Sequence, residues 1–221
     1  KKMIYDLNRC SDLGNTSDTW VTTIDIIKKG FDYENLKTLQ SNTNFTTIVN
    51  TETHPSLTFD NPDEKKIFDS IVKTKESNIC HPHKSIKVKK NNFSAYYLVN
   101  AKVASKIINY FKPLNKSITI LEIGGGVGLL SSILLSKIKC KVILCDLPQT
   151  LFIQRFFLSS LFKSKKHNFI ANDKDAYKEN YDINYVNCNQ LFKQKFNLDL
   201  AFNIDSFQEM KLETVNNYIK F

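Results

Sequence analysis

Glycine is scarce in this 221-residue chain, with six, and arginine scarcer still, supplying two of the 31 basic residues. No apolar run is long enough to span a bilayer, since the longest, around Ile118 to Leu135, is interrupted by Glu122, glycines and serines. No basic segment leading into an apolar core opens the sequence, so neither a membrane anchor nor a secretory signal is read. The five cysteines, Cys10, Cys80, Cys140, Cys145 and Cys188, are odd in number and include no C-x-x-C pair. That argues against a disulfide framework and for a reducing, cytoplasmic setting. "CHPH" (residues 80 to 83) has metal-compatible side chains, but a structural zinc needs about four ligands and no second cluster completes them. It is read as a loop, with no metal site.

The lack of arginine also bears on the net charge of +9. Phosphate readers favour the guanidinium fork, whereas the lysines here are scattered among Asn, Ile, Phe and Tyr. The charge is therefore read as a solvated basic surface with weak attraction for anions, and nucleic acid is set aside as the substrate. The densest basic cluster, "HKSIKVKKNN" (83 to 92), is read as an exposed lead-in to a helix.

With 42% hydrophobic residues the chain can bury a substantial core. Residues 1–92 read as a mainly helical region. It has a helix in 31–40, a Ser/Thr/Asn-rich loop with a short strand at 45–49, and a helix in 61–75 capped by Asn61 with Pro62 in its first turn. In 93–221 the signals strengthen. "NFSAYYLVNAKVASKIINYF" carries Tyr97, Leu98, Ala101, Ala104, Ile108 and Phe111 on one helical face. "SITILEI" (117 to 123) and "KVILCDL" (141 to 147) are β-branched apolar runs too short for helices, and the helical pattern between them makes a β-α-β unit with parallel, buried strands. A buried helix from Pro148, strands at 183–188 and 198–204 and a terminal helix complete an α/β, Rossmann-like, doubly wound parallel sheet of four strands.

Four of the six glycines fall in "EIGGGVG" (122 to 128), at the exit of the first strand. Glycines there permit positive φ and let a ligand approach the backbone, while the following helix offers amide donors and a positive dipole end. A G-x-G-x-x-G dinucleotide fingerprint starting at Gly124 would need glycine where Leu129 stands. Asp146, ending the second strand 24 residues after Glu122, puts a carboxylate at the same crevice, where it can accept both hydroxyls of a ribose.

Three phrases together, "EIGGGVG", "CDLPQTLFIQRFFLSSLF" (145 to 162) and "DLAFNIDSFQEM" (199 to 210), resemble the sugar O-methyltransferase family of class I S-adenosylmethionine-dependent methyltransferases, over residues 94 to 221. The resemblance implies S-adenosylmethionine as cofactor, held by Glu122, Gly124, Gly126, Gly128 and Asp146, and a sugar or glycoside hydroxyl as acceptor. Class I sheets have seven strands, so it also implies a C-terminally truncated fragment. Similar plant-type small-molecule enzymes carry a catalytic histidine nine residues after the aspartate matching Asp199. That position here is Gln208, which cannot accept a proton, so the expected base is Glu209, with Asp205 next. The same comparison puts Asn189 at the adenine edge. Asn203 and Ser206 have the chemistry to orient a sugar hydroxyl, Tyr96 or Tyr97 could supply a wall of the substrate site, and Asp205 or Ser206 could instead cap the last helix. A degenerate, non-catalytic binding module and a methyltransferase for another small molecule or for nucleic acid are the alternatives.

Overall fold

The computed structural model describes residues 56–79 and 82–221. The helix expected in 31–40, the strand at 45–49, Cys10, Cys80 and His81 lie outside the described residues. The described chain forms two compact units, one containing Ile118–Gly128 and Cys140–Phe221, the other running to Ser117 and adding Leu129–Lys139.

The second unit begins with α1 (Pro62–Ile71), where the Asn61 side chain accepts from the amides of Asp63 and Glu64 at 3.1 and 2.9 Å. Strands β1 (Ile86–Val88) and β2 (Asn91–Phe93) pair antiparallel. The expected helix lead-in is thus a hairpin, closed by the two residues Lys89 and Lys90, with Lys89 at φ 56. A turn of this length usually announces itself with Asn-Gly or a similar pair, and two lysines gave no such signal. Helix α2 (Ala95–Phe111) is capped by Ser94, whose Oγ accepts from the Tyr97 amide and donates to the buried Glu76 carboxylate. Helix α3 (Leu129–Lys137) completes this unit.

The first unit is a five-stranded sheet in the order β5-β6-β4-β3-β7, parallel throughout. Its strands are β3 (Ile118–Ile123), β4 (Cys140–Asp146), β5 (His167–Ile170), β6 (Ile183–Asn187) and β7 (Leu200–Asn203). The sequence pattern predicts four. The additional strand β5 is short, and its half-buried His167 and Asn168 hid it within a polar stretch. Helix α4 (Pro148–Leu161) is buried over most of its length, as its apolar content implied. The chain continues through the single turn α5 (Cys188–Leu191), a 3-10 turn (Ser206–Glu209) and α6 (Leu212–Lys220). No side chain caps α6, which starts after Lys211, so neither Asp205 nor Ser206 serves as the helix cap that the sequence allowed.

Leu121, Ile123, Ile143, Cys145, Ile170 and Val186 form the core of this unit with Leu191 and Tyr218. At β3 the winding reverses, because the chain first builds β4, β5 and β6 to one side and then places β7 on the other. Ile123 pairs with both Cys145 and Asn203, and Asp146 with Asn187, so four strands present their carboxyl ends along one edge. Ligands of open α/β sheets bind at such a reversal.

Candidate active site

Glycines 124, 126 and 128 all adopt left-handed φ, at 70°, 56° and 83°. The loop is pinned by the Gly124 amide donating to the Cys145 carbonyl at 2.9 Å and the Gly128 amide to the Gly125 carbonyl at 2.8 Å. A Cβ on Gly124 would overlap Ser206 Oγ, one on Gly125 would come 2.7 Å from Glu122 Cδ, and one on Gly128 3.3 Å from Leu158 Cδ1. Three of these glycines therefore let protein pack on protein, beyond the ligand clearance expected of them. Glu122, 4% exposed, lies against the Gly125 backbone and shapes the loop from beneath.

Asp146 accepts from the Leu147 amide through Oδ1 at 2.8 Å and from Gln154 Nε2 through Oδ2 at 2.9 Å. Each oxygen keeps a further lone pair. The pKa of this carboxyl is raised to about 7, chiefly by burial and slightly by the Glu209 charge, against the pull of the Leu147 and Gln154 hydrogen bonds and of the Thr150 hydroxyl. The buried amide oxygens of Gln149, Gln154 and Gln190 have no protein partner. They belong to the helices that follow β4 and β6 and went unread in the sequence, where the only signal was their position just beyond Asp146 and Asn187 at the sheet edge. A left-handed glycine loop, a carboxylate with open lone pairs and orphaned acceptors fit a ligand carrying ribose hydroxyls and an amino-bearing base. S-adenosylmethionine is such a ligand.

The turn after β7 is placed by its own side chains. Asn203 Nδ2 donates to the Ile123 carbonyl at 2.8 Å and to Ser206 Oγ, while its Oδ1 accepts from the Phe207 amide at 3.1 Å. Asn203 and Ser206, expected to orient a substrate hydroxyl, thus clamp the turn to the exit of β3. Phe207 stacks on Tyr218, with ring centroids 5.9 Å apart. Asp205 sits at φ 64 without a side-chain cap bond, and both it and Glu209 are exposed, so the burial expected of the base is absent. Asn189 is exposed on α5, its amide donating to Asn187 Oδ1 at 3.4 Å. Tyr97 belongs to the second unit, where it is buried and stacked on Phe93 with centroids 5.2 Å apart. Among the described residues no helix is long and apolar enough to cross a membrane.

No curated protein and no solved structure matches the chain. Residues 86–201 match the family model described as ribosomal RNA adenine dimethylase, a span that runs from β1 through the glycine loop and Asp146 into β7. That description names ribosomal RNA, which overturns both the sugar acceptor and the setting aside of nucleic acid. The error lay in treating scattered lysine as composition alone and in letting the phrases after β4 and β7 name a substrate, although much of what they specify is packing: Ser206 on Gly124 and Gln154 on Asp146. The match covers just over half of the chain and includes the glycine loop and Asp146, so the chain belongs to the ribosomal RNA adenine dimethylase family and is a class I methyltransferase using S-adenosylmethionine.

Proposed function

We propose that this protein methylates the exocyclic amino nitrogen of adenine in RNA. The observation that carries the reading is Asn203, an amide at the end of β7 beside the glycine loop where a hydroxyl methyltransferase would want a base. An aliphatic hydroxyl must shed its proton as it attacks. An adenine amino group instead has its lone pair drawn into the ring, and it needs an acceptor to hold an N–H and turn the lone pair toward the incoming carbon. Asn203 Oδ1 spends one lone pair on the Phe207 amide and has a second to offer. Bound S-adenosylmethionine supplies an electrophilic methyl group. A buried, strong base is not required of the chain, because the proton of the methylated nitrogen is acidic enough for an exposed carboxylate: Glu209 takes it, with Asp205 as the alternative.

Asp146 holds the ribose hydroxyls, and Gln149 and Gln190 offer their free amide oxygens to polar hydrogens of the cofactor. Glu122, through its contact with Gly125, and Gly124, Gly126 and Gly128 give the loop its course. An adenine edge is accessible to such a site only when unstacked, so the target is an adenine in a loop or a readily opened pair. The test is transfer of radiolabelled methyl from S-adenosylmethionine to ribosomal RNA, to ribosomal RNA with its adenines replaced by inosine, and to a mixed glycan pool. Label in the first alone supports the reading, and label in the glycans or equal label in both RNAs refutes it.

A further inference from the structure

The net charge of +9 is not spread evenly over the molecule. Among the described residues the second unit holds 14 lysines against five carboxylates, whereas the first holds 11 basic residues against ten carboxylates. The first unit is nearly neutral by itself, and the excess lies in the unit without the glycine loop.

Within the second unit several lysines converge on one corner. Asn91 Nδ2 lies 3.4 Å from the carbonyls of both Val72 and Lys73, tying β2 to the chain just beyond α1. That tie brings Lys73 next to the hairpin turn at Lys89 and Lys90, while Glu76, bonded to Ser94, keeps Lys75 beside β2. Lys87 lies on the exposed face of β1, paired with exposed Asn92, while Ile86 and Val88 turn inward. Lys137 joins from α3 by donating to the Ser70 carbonyl at 3.2 Å. The side-chain ammonium groups of Lys73, Lys75, Lys87 and Lys90 are exposed and make no hydrogen bond or ion pair among the described residues. Only Lys89 is partly neutralised, by Asp69 at 3.3 Å.

We infer that this corner of the second unit, built from the β1–β2 hairpin and the end of α1, is a docking surface for the RNA phosphate backbone. The inference rests on the proposed RNA substrate and assigns the contact that holds it. Lysine suits such a surface, since as a point charge it neutralises phosphates without demanding a fixed fork geometry, giving affinity that is insensitive to sequence. The corner supplies grip and rate of encounter and leaves the choice of base to the β7 turn.

The test compares two variants of the full chain, each losing four positive charges. K73Q/K75Q/K87Q/K90Q removes the corner, and K163Q/K174Q/K195Q/K220Q removes exposed lysines of the first unit. Binding of a fluorescent RNA stem-loop is measured from 50 to 200 mM salt, with thermal unfolding confirming that both variants fold. The corner variant should bind about tenfold to a hundredfold more weakly and flatten the log–log salt slope by roughly three, as four lost phosphate contacts require. The first-unit variant should stay within about threefold. Equal losses in the two variants, no loss in the corner variant, or wild-type binding to phosphatidylserine vesicles as tight as to RNA would overturn the assignment. If RNA is methylated with an unchanged KM by the corner variant, the docking surface fails while the RNA reading stands; if the wild type methylates no RNA, the reading itself fails.

Discussion

The loop after β3 and the turn after β7 leave neighbouring strands at the same sheet edge, yet they reach unusual backbone geometry by opposite means. The first uses three left-handed glycines, and the second holds Asp205, with its Cβ, at φ 64. A non-glycine residue there costs about 1 kcal/mol or more and persists only where its surroundings hold it. The clamp from Asn203 to Ile123 and Phe207 provides that hold. The two segments also interlock, because Ser206 occupies the space that a side chain on Gly124 would need. The glycine loop is thus a packed seat, and the β7 turn is a tense, solvent-facing arm fastened to it.

The sharpest break of this arrangement is Gly124→Ala. A Cβ at positive φ, driven into Ser206, should destabilise the fold by about 2–4 kcal/mol and abolish S-adenosylhomocysteine binding. Chemical denaturation and calorimetry read both, and adding Ser206→Gly should recover part of the stability. Gly128→Ala meets only Leu158 at 3.3 Å, so about 1–2 kcal/mol is expected.

Asp146→Asn separates cofactor binding from packing. It should weaken S-adenosylhomocysteine about tenfold or more through lost charge-assisted hydrogen bonds. The folded pKa of about 7 lies above the ordinary aspartate value of 3.8, so the folded state keeps a proton that the unfolded state has released. Wild-type stability from this group therefore falls as pH rises from about 4 to 7 and levels off above. The variant should lose that component, which a comparison of denaturation midpoints at pH 5 and pH 8 detects. Cofactor affinity of the wild type should rise over the upper part of the same interval as the carboxylate ionises.

Smaller effects belong to the β7 arm. Asp205→Gly relieves the left-handed strain and should stabilise by about 0.5–1 kcal/mol, and a destabilised variant would mean that Asp205 makes a contact worth more than its strain. Glu209→Gln should lower kcat less than about threefold, since water can replace an exposed proton acceptor; a loss of a hundredfold would make Glu209 an essential base.

Much of the fold was legible in the sequence because β3 and β4 are mostly apolar runs, α1 carries its cap in Asn61 and α2 keeps an apolar face at helical spacing. The β1–β2 hairpin and β5 were not, because strands of three or four residues that contain lysine, histidine or asparagine leave almost no periodic signal. At the candidate site, spacing alone placed Glu122 within β3, the glycines at its exit and Asp146 at the end of β4. The use of Ser206 and Asn203 as a clamp was not, since it depends on contacts across about 80 residues of chain. The substrate was misread for a related reason: charge counted along the sequence looks diffuse, whereas sorted by unit it is concentrated in one of them.

The decisive measurement is mass spectrometry of nucleosides from ribosomal RNA incubated with S-adenosylmethionine and either the wild-type chain or Asp146→Asn. N6-methylated or N6-dimethylated adenosine is expected from the wild type, with a strongly reduced yield from the variant. Methylation of the ribose 2′-hydroxyl, or equal yields from the two proteins, would contradict adenine methylation at this site.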